Sequence, residues 1–139
     1  MIKVFFDASV IFSAIYSESG SSRKLTDFVK LRDIVGITTQ TVIEEVEDNI
    51  NKFRDRKASP KQFIKDSNFI VREKIKQSET KTYAEIVNEK DRHVLAGAIL
   101  TGCSYLVTLD KKHLNNPLIK IKISKIIIVS PKELLNAIA

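Results

Sequence analysis

Five short apolar, β-prone runs, at residues 2–6, 34–37, 69–71, 105–109 and 126–129, are spaced along the chain with helix-patterned segments between them. In the first run Ile2, Val4, Phe5 and Phe6 leave only Lys3 polar, so both faces of that strand are apolar. A strand covered on both faces belongs in a parallel sheet, where crossover helices shield each side. Short apolar strands alternating with helices point to a sandwich built around a parallel sheet. The expected fold class is α/β: a three-layer α/β/α sandwich with a central, mostly parallel four- to five-stranded sheet. With 139 residues and only four Gly and three Pro, the chain reads as a single domain, 1–139, without long structureless linkers. A domain of this size buries roughly two thirds of the surface its unfolded chain exposes and needs no covalent staples.

The helical segments have their own signals. Val10, Ile11, Ala14 and Ile15 share a face after the first strand, and a Gly20-Ser21-Ser22 break precedes a second helix over 23–31. Thr38, Thr39 and Thr41 supply a helix-start signal before Val42, Ile43, Val46 and Ile50. Ser59-Pro60 begins a short helix, since proline suits the first helical position. Residues 75–82 carry no readable pattern. A strong helix is expected over 89–101, with Asn88 as N-cap, Val94, Leu95, Ala98 and Ile99 on one face and Gly102 as its stop. Ser130-Pro131 starts a last helix through Leu134, Leu135 and Ile138.

Charge narrows the partner. Twenty-three Lys and Arg against seventeen Asp and Glu give +6, which suits a polyanion, nucleic acid first and an anionic membrane surface second. No stretch is apolar enough to span a bilayer and the N-terminus lacks the pattern of a signal peptide. One cysteine, Cys103, excludes an internal disulfide, so the chain is expected in the cytoplasm. One Cys and two His also argue against a Cys/His zinc site, which takes four such ligands.

The acids are placed unusually. In an open parallel sheet, ligands sit beyond the carboxyl ends of the strands, near the point where strand order reverses. Asp7 directly follows the first strand and Asp110 follows 105–109. Either aspartate taken alone reads as a cap for the turn or helix after its strand. Asp91 lies three and four residues before Val94 and Leu95 and so shares their inward side. Glu45 sits between Ile43 and Val46, but Glu44, Glu47 and Asp48 crowd the same turns, and spacing does not say which acid points inward. Four carboxylates drawn together repel and raise one another's pKa unless cations intervene. Hard divalent ions relieve that repulsion and accept phosphate oxygens as further ligands. A carboxylate cluster in a basic protein therefore points to metal-assisted chemistry on a phosphodiester.

Four segments taken in order resemble the acidic motifs of PIN domains, the nucleases of VapC-type toxins and of RNA-processing enzymes. They are Val4-Phe5-Phe6-Asp7-Ala8-Ser9-Val10, Val42-Ile43-Glu44-Glu45-Val46, Glu89-Lys90-Asp91-Arg92-His93-Val94-Leu95-Ala96-Gly97-Ala98 and Leu106-Val107-Thr108-Leu109-Asp110. The resemblance implies a Mg²⁺- or Mn²⁺-dependent endoribonuclease acting on RNA through Asp7, Glu45, Asp91 and Asp110, with Asp7, Asp91 and Asp110 as metal ligands. Ser9 and Thr108 would hydrogen-bond around the site. Lys111, Lys112 and His113, directly after Asp110, leave its rim and are the better candidates for RNA contact, so Ser9, Thr108, Lys111 and Lys112 are the expected substrate-binding residues. A cognate antitoxin and a homodimer are the partners the resemblance implies. Many relatives carry a further acid two positions after the last aspartate, where this chain has Lys112.

Lys52, Arg54, Arg56, Lys57, Lys61 and Lys65 form the densest basic stretch, which is either a solvated helix face or a flank for RNA. His93 is expected to pack or to be solvated, and Cys103 to be a small buried residue. The alternative to an enzyme is a non-catalytic RNA-binding or scaffold domain with a degenerate metal site, for which Lys112 is the best argument.

Overall fold

The computed structural model describes residues 1–52 and 59–138, and within them all five expected strands form. They are β1 (Lys3–Phe6), β2 (Val35–Thr39), β3 (Ile70–Arg72), β4 (Tyr105–Val107) and β5 (Ile127–Val129). Every pairing is parallel, in the order β3-β2-β1-β4-β5. The most apolar run, β1, is the central strand, and Val4, Phe5 and Phe6 lose all exposure. Burying an aromatic or branched side chain of this kind contributes about 1.5–3 kcal/mol.

Among the described residues eight α-helices connect and flank the strands: α1 (Ala8–Tyr16), α2 (Ser21–Lys30), α3 (Gln40–Lys52), α4 (Pro60–Asp66), α5 (Gln77–Thr80), α6 (Arg92–Leu100), α7 (Pro117–Lys122) and α8 (Pro131–Ile138). Alternation along the strands divides them between two faces. On one face Gly36 of β2 lies against Val29 of α2 and Phe69, whose ring also meets Phe6 edge-on. Helix α1 packs against α2, α3 and α4, and α2 against α8. On the other face α6 crosses β1, β2 and β4, with Gly97 against the Phe5 ring and Thr39. The expected α/β/α sandwich is therefore present, with a fully parallel five-stranded sheet.

Several boundaries differ from expectation, for local reasons. Thr38 and Thr39 belong to β2, not to the helix start: the Thr38 hydroxyl donates to the Phe6 carbonyl at 3.1 Å. Thr39 still caps α3, its hydroxyl accepting from Val42 N, while Thr41 accepts from Ile75 N and ties down the segment after β3. The unreadable stretch 75–82 contains α5, followed by a 3₁₀ turn at Lys81–Tyr83. The Glu79 carboxylate accepts from both terminal nitrogens of the Arg72 guanidinium and from the Lys76 N–H, which hold its pKa down to about 2. Helix α7 was not anticipated, although Asn116-Pro117 is a start signal and Asn116 does cap it, accepting from Ile119 N at 3.0 Å. Of the basic stretch, Arg54, Arg56 and Lys57 lie outside the described residues. Cys103 is buried as expected. Among the described residues no helix is long and apolar enough to cross a membrane.

Candidate functional site

The chain runs from β1 outward to β2 and β3, then returns across the sheet to β4 and β5. Strand order reverses between β1 and β4, which makes their carboxyl ends the switch point. Asp7 is the first residue past β1, and Asp110 closes the turn after β4. Both also act as caps, so the two readings of each aspartate are compatible. Asp7 Oδ1 accepts from Ala8 N at 2.8 Å as the N-cap of α1. Asp110 Oδ1 accepts from Lys112 N and His113 N at 3.0 and 2.8 Å.

Two hydroxyls join the strand ends. Thr108 Oγ1, buried, donates to Asp7 Oδ2 at 2.7 Å and accepts from Asp110 N at 3.1 Å. Ser9 Oγ donates to Asp7 Oδ2 at 3.2 Å and accepts from Leu109 N at 3.1 Å. A hydroxyl suits this place because it donates to a carboxylate and accepts from an N–H at once. The Asp7 N–H meanwhile donates to the Val107 carbonyl.

Asp91 reaches the same edge by a different route. Helix α6 begins at Arg92, three residues later than expected. Asn88 captures the Asp91 N–H with both its carbonyl and its side chain, which holds 88–91 in a turn. Asp91 becomes the N-cap residue rather than part of the first turn, yet its side chain makes no capping hydrogen bond. Its carboxylate is left to face the other acids. Glu45 contacts His93 Nε2 through Oε1, whereas Glu44 turns to Lys74 at 2.9 Å. The crowded turn of α3 thus sends Glu45 toward the acids and Glu44 away from them. The His93–Glu45 contact was not anticipated; only the proximity of α3 and α6 creates it. His93 is otherwise packed, with Nδ1 buried and without a partner among the described residues.

The electrostatics reflect the crowding. Burial pushes the Asp7 carboxyl above its ordinary value, against the hydrogen bonds from Thr108, Ala8 and Ser9, and the Glu45 charge adds to the rise. Asp91 is also raised, by burial first and then by the Asp110 charge, with Glu45 contributing and both histidines opposing. Carboxylates pushed upward by one another are suited to a cation. Ligand atoms of Asp91, Asp110 and His113 lie within 4.8 Å of one another. Two hard oxygens and one imidazole nitrogen fit a divalent ion. Asp7 lies outside that group of three and both its oxygens are engaged; Glu45 is the charge that couples it to Asp91.

The family model described as PIN domain matches residues 3–112, a span that includes all four acids. This chain belongs to the PIN domain family. Solved structures with the same fold are distant in sequence. PAE2754 from Pyrobaculum aerophilum is 17% identical and superposes with a TM-score of 0.64 over 99% of this chain and 95% of its own. VapBC2 from Rickettsia felis, solved bound to a DNA fragment from its promoter, is 15% identical, with a TM-score of 0.61 over 93% of this chain and 98% of its own. Among curated proteins none matches the chain in sequence. For this PIN domain, Lys111 and Lys112 are exposed directly beside Asp110. Further along the carboxyl edge, a groove of about 630 Å³ is lined by Gln40, Val71, Arg72, Glu73, Lys74 and Lys76. It shares Gln40 and Val71 with a smaller one that takes in Lys61 and Lys65.

Proposed function

We propose that this PIN domain is a divalent-metal-dependent endoribonuclease that hydrolyses RNA phosphodiester bonds, of the kind that serves as the toxin of a toxin–antitoxin pair. Residues 1–139 form one nuclease domain in this reading. The observation that carries it is the approach of Asp91 and Asp110 ligand atoms to within 4.8 Å of one another at the switch point, with Glu45 and Asp7 coupled to them, in a chain of net charge +6.

Asp91 and Asp110 would hold the cation, Mg²⁺ or Mn²⁺, with Asp7 behind them. When bound, the ion supplies charge neutralisation at the phosphate and acidifies the attacking water. Asp7, gripped by Ser9 and Thr108, fixes the spacing between the β1 and β4 ends. Glu45 has one oxygen on His93, and its other oxygen would be the one to accept a proton from an attacking water. Lys111 and Lys112 hold the backbone phosphates, and Lys61, Lys65, Lys74 and Lys76 continue that path along the edge. The shared fold with VapBC2 supports a cognate antitoxin as partner. The reading also includes a homodimer and a cytoplasmic setting.

The test is cleavage of RNA by the purified chain in Mg²⁺ or Mn²⁺. Asp91→Asn should lower kcat/KM by about 100-fold or more while the circular dichroism spectrum is kept. Cleavage that persists in excess chelator would overturn the reading. RNA affinity without turnover in either ion would favour a non-catalytic binding domain, which Lys112 beside Asp110 supports.

A further inference from the structure

We propose that His113 is a ligand of the metal centre and biases it toward a first-row transition ion, Mn²⁺ over Mg²⁺. This rests on the metal-dependent reading of the site and deepens it by naming a donor and an ion class.

Lys112, two residues after Asp110, is exposed and supplies no metal ligand. The next residue supplies a different donor. The His113 N–H is held by Asp110 Oδ1 at 2.8 Å, which fixes the turn and brings the imidazole back over the same carboxylate. His113 Nδ1 lies 3.3 Å from Asp110 Oδ2. An Asp91 oxygen completes the trio, with all three ligand atoms within 4.8 Å. Ligands on opposite sides of one ion lie about 4–4.5 Å apart for bonds of ~2.0–2.2 Å, so a modest contraction closes the set.

The donor types then decide the ion. Mg²⁺ takes oxygen ligands in a strict octahedron and keeps its waters. Imidazole nitrogen is a donor for transition ions, and affinity at a mixed site rises along the first row from Mn²⁺. His93 does not fill this role, because its Nε2 is taken by Glu45 and its Nδ1 is buried.

The experiment uses the full chain and the metals alone. Mn²⁺ titration followed by electron paramagnetic resonance, with Mg²⁺ as competitor, gives the two affinities. Spin-echo modulation of the bound Mn²⁺ reports a directly bonded imidazole nitrogen. Wild type should prefer Mn²⁺ by about 10-fold or more and show the nitrogen coupling. His113→Ala should lose that coupling and bind Mn²⁺ about 10–100-fold more weakly, with Mg²⁺ affinity within about 2-fold. His113 is exposed, so the variant is expected to fold, and the coupling in wild type is a test that needs no variant. Absence of coupling in wild type, or equal affinity for the two ions, would overturn the proposal. So would coupling that survives His113→Ala and vanishes in His93→Gln. RNA is absent from all of these measurements. A wild type that binds Mn²⁺ through nitrogen yet cuts no RNA would therefore overturn the nuclease reading alone.

Discussion

Asp7 and Asp110 are both strand-end aspartates, but their surroundings differ. Asp7 is buried with both oxygens bonded, and its charge is opposed by burial and by Glu45; Asp110 stays partly exposed on a turn it caps itself. Asp7 therefore carries a stability cost at neutral pH. Its folded pKa is raised, so the fold favours the protonated acid. That contribution is fully present below the ordinary value of 3.8 and is lost as pH rises through the raised value. In chelator at pH 7, Asp7→Asn should melt higher than wild type. The gap should close as the pH falls toward 4, the usual carboxylate pKa, when both are neutral. Thermal midpoints across that range decide it, and a variant less stable than wild type at pH 7 would show that the charge is well solvated. The strand-end placement of both acids was legible because a β run and the residue after it can be read from local order. The Glu45–His93 contact was not, because it depends on how α3 and α6 approach across the sheet.

Helix α6 is the element that carries Asp91, and its position is set from both ends. At the C-terminus Gly102, at φ +70°, donates to the Ile99 carbonyl while Cys103 N donates to Ala98, so two of the last carbonyls are satisfied. In the middle, Gly97 lets the helix sit against the Phe5 ring: a Cβ there would lie 2.7 Å from Cζ and 2.8 Å from Cε2. Phe5 is fully buried in the central strand, so the ring cannot yield cheaply. Gly97→Ala gains about 1 kcal/mol of helix propensity but overpacks by about 1–3 kcal/mol. The expected net result is a loss of about 1 kcal/mol in urea denaturation, with weaker metal binding because the Asp91 end of α6 is displaced. Unchanged midpoint and metal affinity would show that the helix shifts freely. The Gly102 stop was readable from sequence, since glycine after an apolar helix has one common use. The late start at Arg92 was not, because Glu89 and Lys90 suit a helix locally. Asn88 decides it through a turn that competes for the Asp91 N–H. Helix α5 is equally opaque to pattern: it buries no residue, and the Arg72–Glu79 pair holds it.

Across the whole molecule, the net charge of +6 combines an acidic centre with basic surroundings. Lys111 and Lys112 flank Asp110, and Lys74 pairs with Glu44 on the outer side of α3. RNA affinity should therefore fall steeply with salt. Each phosphate contact on a single strand contributes a slope of about −0.7 in log K against log salt. On an Asp91→Asn background, replacing Lys111 and Lys112 by Ala should reduce the slope by roughly 1–1.5 units. Fluorescence anisotropy at several salt concentrations measures it, and an unchanged slope would remove both lysines from the RNA path. The two hydroxyl bridges have a different consequence, one of timing. They link Asp7 and Ser9, at the beginning of the chain, to Thr108 and Leu109 about a hundred residues later, and Thr108 N is in turn held by the Val129 carbonyl. While the chain is still being synthesised, β1 can pair with β2, but Asp7 lacks its β4 neighbours and the acidic edge does not exist. Under the proposed function, activity would therefore be withheld from a growing chain until β4 and β5 had emerged.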